Sequence, residues 1–171
     1  PPAVVAMPNT TPPPGDRAVV AGVLSAGERA ACEVVSSGCI TKDRAGEALA
    51  PMGELYDLGV RIFTDDGACV GDPAVMRHAL EYSLALPGAI VAQHAEDPAL
   101  AGRGAMHEGT WSSRLGIPGR PSAAEDVIVG RDVILAGLTR ARVHFLHVST
   151  ARAVEMVRVR EHGHRLRQAL H

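Results

Sequence analysis

Short β-branched runs return along this chain at nearly constant intervals, and that rhythm restricts the fold more than any other feature. "AVVAM" (3–7), "EVVSSGCI" (33–40), "VRIFT" (60–64), "AIVAQH" (89–94) and "VHFLHV" (143–148) begin about every 28 residues until the last interval, which is about twice as long. Most lack strict polar/apolar alternation, as expected of parallel strands covered on both faces. The segments between them are amphipathic, so the pattern is that of repeated βα units and predicts an α/β fold.

Several helix ends are legible. Asp72 before Pro73 has the chemistry of an N-cap and first helical position, with Met76, Leu80 and Leu84 marking one face behind it. "SAAE" (122–125) has the form of a capping box ahead of "DVIVGRDVILAGL", and Gly59 is placed to close the helix "EALAPMGELYDL". The long last interval holds residues 95–121, "EDPALAGRGAMHEGTWSSRLGIPGRPS", rich in Gly and polar side chains. A long loop after a strand's C-terminal end is where an α/β enzyme keeps its site.

Polar residues gather at those same strand ends. Asn9 follows "VVAMP", Asp65 and Asp66 follow "RIFT", His94 closes "AIVAQ", and His147 lies in "VHFLHV". Two adjacent carboxylates repel each other and lower strand propensity, so either "DDG" is a turn or something there attracts negative charge. One carboxylate and two imidazoles converging at one mouth would suit a divalent metal such as zinc. Against that stands the ordinary fate of a histidine at a strand end, a hydrogen bond.

Composition narrows the classes. With 46% hydrophobic and 21% charged residues, the 171-residue chain has the profile of a globular domain with a real core. A formal charge of −2 without a basic stripe argues against nucleic acid. No apolar run approaches the roughly 20 residues of a membrane span, and the N-terminus has no signal-peptide pattern. Cys32, Cys39 and Cys69 form no C-x-x-C pair, which favours a cytoplasmic location over a disulfide framework.

"AMPNT" (6–10), "GVRIFTDDG" (59–67), "QHAED" (93–97), "MHEG" (106–109), "RLGIPGRP" (114–121) and "LHVSTARAVEMVR" (146–158) resemble class I dihydroorotase of the amidohydrolase superfamily, in order and spacing across residues 3 to 160. The resemblance implies an incomplete (β/α)8 TIM-type barrel of about five parallel strands, the family's strands 2–6, with intervening helices. It implies zinc-dependent cyclic amide hydrolysis, interconverting N-carbamoyl-L-aspartate and dihydroorotate in pyrimidine biosynthesis. Two zinc ions in the complete site would supply a nucleophile near neutral pH and polarise the amide carbonyl. Asp66 maps to the carboxylate that bridges them, with Asp65 the alternative. His94 and His147 map to zinc ligands, and Asn9 to the asparagine that binds the substrate carboxylate. Self-association, or association with aspartate transcarbamoylase, is implied as a partnership.

By the same resemblance, a His-x-His pair and an arginine would precede Pro1, and the metal-binding, proton-shuttling aspartate would follow the last residue, so no catalytic acid/base is assigned here. The expectation is a partial barrel over residues 1–160 and a divergent tail over 161–171, where "EHGHRLRQALH" departs from the family pattern. Such a fragment is expected to be inactive alone. Two other readings compete: a hydantoinase or allantoinase, and a non-catalytic dihydroorotase-like subunit. An Asp where hydantoinases carry a lysine, together with "AMPNT", tells against the first; retention of all three ligands tells against the second. Glu96, Asp97 and His107 receive structural rather than chemical roles.

Overall fold

The computed structural model describes residues 2–168, with side chains described through residue 160. Five strands carry the architecture: β1 (Ala3–Ala6), β2 (Glu33–Ser36), β3 (Ile62–Phe63), β4 (Ile90–Gln93) and β7 (Val143–Phe145), with a short pair β5 (Met106–His107) and β6 (Gly119–Arg120) between the last two. β1 pairs with β2, and β3 with β4 and β4 with β7, all in parallel. Gly38 forms a parallel bridge to Phe63 and so links the β2 segment to β3. A Cβ at Gly38 would stand 2.9 Å from Leu55 Cδ1 and 3.2 Å from Val60 Cγ1, so a side chain there would press on the core beneath the bridge. The result is an open set of parallel strands in chain order. The strands are shorter than the apolar runs that announce them, although Ser37 N still donates to Ala6 O and Leu146 N to Gln93 O beyond the strand ends.

Helices α1 (Arg17–Gly27), α2 (Met52–Asp57), α3 (Pro73–Ser83), α6 (Ala123–Thr139) and α7 (Ala151–Gln168) fill the crossovers. Asp72 caps α3 by accepting from Ala74 N and Val75 N, with Pro73 in the first turn. Asp16 caps α1 in the same way. Residues 95–121 are not a bare loop: they contain α4 (Pro98–Ala101), β5, α5 (Thr110–Leu115) and β6.

Three local expectations are corrected. Leu84 lies beyond the end of α3 and is 56% exposed, so the buried face there is Met76, Ala79 and Leu80. The helix predicted over "EALAPMGELYDL" begins only at Met52, since Pro51 lacks the N–H a preceding turn would need, although Gly59 does follow it with φ +96. Ser122 forms no side-chain cap on α6, and Glu125 turns elsewhere. Residues 161–168 continue α7, so the expected tail starts as helix, and residues 169–171 lie outside the described residues.

The main core lies between β2, β3, β4 and helices α1 to α3, where Val20, Ile40, Met52, Leu55, Phe63, Met76, Leu80 and Val91 are fully buried. Burying each such side chain contributes roughly 1.5–3 kcal/mol before entropy is counted. A second cluster of Ala95, Ile128, Val129 and Ala153 seats α6 and α7 against the end of β4. Among the described residues, no helix is long and apolar enough to cross a membrane.

Candidate metal centre

Asp65 and Asp66 face different worlds. Asp65 is 1% exposed: its Oδ1 accepts from Ile40 N at 2.8 Å and Thr41 N at 3.1 Å, and its Oδ2 accepts from Thr41 Oγ1. Burial pushes its carboxyl above the ordinary aspartate range, and the hydrogen bonds from Thr41 and Ile40 pull the other way. It ties the strand end to the segment after β2. Asp66, one residue on, points to the mouth. Sequence alone left both open as the ligand; the geometry brings Asp66 to the histidines and leaves Asp65 in the interior.

Asp66 Oδ1 stands 3.1 Å from His147 Nε2 and 3.3 Å from His94 Nδ1, and the two ring nitrogens are 3.1 Å apart. The rings meet edge to face with centroids 4.8 Å apart. Each residue sits just past a different strand: Asp66 after β3, His94 after β4, His147 after β7. Pairing of β4 with β7 continues through Leu146 N, which donates to Gln93 O at 3.1 Å, so the two histidine-bearing segments are aligned by backbone. His147 itself has φ +35, a left-handed conformation that a histidine adopts only under constraint.

This triangle fits a cation better than a proton. Hydrogen bonds cannot satisfy all three sides at once: protons on both nitrogens collide with each other, and removing one leaves a lone pair facing a carboxylate. A single tetrahedral ion about 2.0–2.1 Å from each donor sets donor-to-donor edges of about 3.3 Å, which is the observed scale. The donor set, one carboxylate and two imidazoles, is one that zinc accepts.

Asn9 is exposed at the neighbouring strand end and is held at one remove. Arg44 Nη1 donates to Asn9 Oδ1 at 3.2 Å and to the Asp66 carbonyl at 3.0 Å. With its oxygen engaged by Arg44, the Asn9 amide presents Nδ2 as its donor. Arg44 Nε is buried with no hydrogen-bond partner among the described residues. Gly67 completes the turn at φ +87, and a Cβ there would lie 3.6 Å from Arg44 Nη1. The "DDG" motif is therefore a turn that also carries the candidate donor Asp66.

Glu96 pairs with Arg120 at 2.8 Å and Asp97 caps α4, accepting from Ala99 N and Leu100 N. His107 lies exposed on β5. Several partners of the site were not found from sequence. Arg44, in "TKDRAG", carries no motif that would distinguish it. Asp132 did leave a signal, an acid on the buried side of an apolar helix, and it is 0% exposed.

Parallel strands in chain order with polar donors at their ends define an α/β protein whose candidate site lies at the C-terminal ends of its strands. The fold matches the L-hydantoinase (dihydropyrimidinase) of Arthrobacter aurescens with a TM-score of 0.69 at 16% identity, over 94% of this chain and 37% of that one. It matches the dihydropyrimidinase of Brevibacillus agri with a TM-score of 0.67 at 18% identity, over 94% of this chain and 36% of that one. The family model described as dihydro-orotase-like matches residues 2–153, and the chain belongs to that family. It is 44% identical over 154 residues to the dihydroorotase of Carboxydothermus hydrogenoformans, covering 90% of this chain and 36% of the relative. Against the dihydroorotase of Mycobacterium leprae it is 46% identical over 159 residues, covering 91% of this chain and 37% of the relative. The chain thus spans little more than a third of the length of these relatives.

Proposed function

We propose that Asp66, His94 and His147 hold zinc and that this chain carries the central part of a dihydroorotase site, acting on the N-carbamoyl-L-aspartate and dihydroorotate pair of pyrimidine biosynthesis. The observation that carries the metal reading is the triangle of donor atoms at 3.1, 3.1 and 3.3 Å, which a shared proton cannot satisfy. The substrate reading rests on 44% identity to a named dihydroorotase, against 16% to the hydantoinase whose fold it shares. Zinc, when bound, supplies Lewis acidity toward the cyclic amide carbonyl and lowers the pKa of water. Asn9 offers its amide donor to the substrate carboxylate, and Arg44 fixes which end of that amide faces outward. Asp66 would also contribute its carboxylate to holding a second ion where further donors complete the site.

The open parallel strands are read as a segment of a (β/α)8 barrel, with β1 and β7 as the edges to which neighbouring strands add. Self-association through those edges is the partnership that this reading favours. The test is titration of the metal-free 171-residue chain with zinc by calorimetry, beside Asp66→Ala, His94→Ala and His147→Ala. Stoichiometric binding that each substitution abolishes supports the site; binding unchanged by all three refutes it.

A further inference from the structure

The three candidate donors come from three separate segments, and one helix that supplies none of them touches all three. In the first turn of α6, Glu125 Oε1 accepts from Ser149 N at 3.0 Å and Thr150 N at 2.8 Å, while its Oε2 also accepts from Ser149 N at 3.0 Å. The adjacent Asp126 accepts from Thr150 Oγ1 at 2.6 Å. These bonds lie two and three residues past His147, where the backbone has just passed through φ +35. Two turns further along α6, on the same face as Glu125, Asp132 Oδ2 accepts from Gln93 Nε2 at 3.0 Å. Gln93 is the residue before His94. Beside it, Arg131 donates through Nη2 to Val70 O at 2.8 Å and through Nη1 to Gly71 O at 2.6 Å, gripping the segment that leaves Asp66. Gln93 Oε1 closes the circuit by accepting from Val70 N at 3.3 Å.

We propose that α6 is the brace that sets the spacing of the metal donors, with Glu125 and Asp132 as positioning residues for His147 and His94. The physical need is plain. β3 contributes only two ladder residues and β7 three, which is little to hold three side chains to a fraction of an ångström. His147 is in a backbone state that relaxes unless its neighbours over-determine it, and Glu125 supplies three bonds to the two amides that follow. Gln93 and Asp132 are both fully buried, so their contact is not shared with solvent. The bland alternative is that Glu125 merely caps α7 and Asp132 merely neutralises Arg131; it predicts lost stability without a change in donor geometry.

The affinity arm of the test rests on the metal reading above; the second arm does not. The intact 171-residue chain is titrated with zinc as wild type, Glu125→Gln, Glu125→Ala, Asp132→Asn and, as a control on the same helix, the solvent-facing Ile134→Ala. Zinc affinity is expected to fall about 10–100-fold for Glu125→Ala and Asp132→Asn, less for Glu125→Gln, which keeps one acceptor oxygen, and not for Ile134→Ala. In parallel, the metal-free proteins are compared by NMR of the imidazole ring resonances and by amide exchange at Ser149 and Thr150. Glu125→Ala should move the His147 ring signals and speed both amides, with Glu125→Gln showing a smaller shift in the same direction. Wild-type affinity in Glu125→Ala despite faster amide exchange would overturn the proposal, as would unmoved His147 signals. Should wild type bind no zinc, the metal reading fails, and the ring resonances alone decide the brace.

Discussion

His94 Nδ1 and His147 Nε2 stand 3.1 Å apart although 53 residues separate them in the chain, and both face the same oxygen of Asp66. Cobalt, which takes the same tetrahedral sites as zinc and absorbs visible light there, should report this directly. Wild-type chain is expected to give an intense visible band at one equivalent. His94→Ala and His147→Ala should each weaken binding by at least about tenfold, and a band that survives both changes would exclude the site.

The neighbouring aspartates should respond oppositely to the same chemical change. Asp66→Asn should abolish metal binding and leave the fold intact, since the carboxylate is at the mouth. Asp65→Asn should keep the metal site and alter stability with pH. The folded protein holds the raised Asp65 proton over a range, starting at the ordinary aspartate value near about 3.9, where the unfolded chain has lost it. Stability from this group is therefore fully present below that value and is lost as pH rises through the folded pKa. Urea unfolding between pH 4 and 7 should show the stability of Asp65→Asn gaining on wild type as pH rises; parallel curves would refute the assignment.

Gly67→Ala tests the turn that separates them. The added methyl meets only ordinary contacts, but φ +87 is strained for any residue with a Cβ. A loss of about 1–2 kcal/mol in chemical denaturation is expected, together with weaker metal binding as Asp66 shifts. An unchanged midpoint would mean that the turn relaxes freely.

Thiol labelling separates the three cysteines. Burial pushes the Cys39 thiol up to about 12, with the Asp65 carboxylate adding to the effect, and the side chain is fully enclosed. Cys69 is raised to about 11, again by burial. At pH 8 a disulfide reagent should modify Cys32 first and leave Cys39 untouched until the protein unfolds. Rapid labelling of Cys39 in the native chain would contradict its enclosure.

The 171 residues by themselves should not hydrolyse dihydroorotate. Three donors suffice for one ion, and the outer strands β1 and β7 have one unpaired edge each among the described residues. No general acid/base is assigned among the described residues, and a site without one loses about 10²–10⁴ in rate. Zinc-dependent turnover that Asp66→Ala abolishes would show that associated copies rebuild the site.

Much of this was legible in the residues. Unbroken β-branched runs mark all five strands where "AVVAM" through "VHFLHV" place them, but the expected cover on both faces holds for β4 and fails for β1, whose Val4 and Val5 are exposed. Asp72 with Pro73 was equally clear, since its cap depends on residues next to it. Glu125 was not. It sits in a sequence with the pattern of a capping box that does not form, and its carboxylate goes to Ser149 and Thr150 past β7, a contact that only the tertiary fold creates. Arg44 was hidden for the same reason, its partners being distant in sequence, while Asp132 showed only as an acid on the buried side of α6 without its partner Gln93.

The long excursion between β4 and β7 also governs the order in which the site can come together. Ile62 pairs with Ile90 and Val91 with Val143, so the second closure spans roughly twice as much chain, at about 0.6 kcal/mol more in loop entropy. Contacts nearer in sequence form sooner. Asp66 and His94 are thus neighbours early, while His147 joins only after residues 95–121 have folded against themselves and α6 is in place to receive the turn at Ser149. Convergence of the three candidate donors therefore depends on the longer of the two closures, the one that brings β7 to β4.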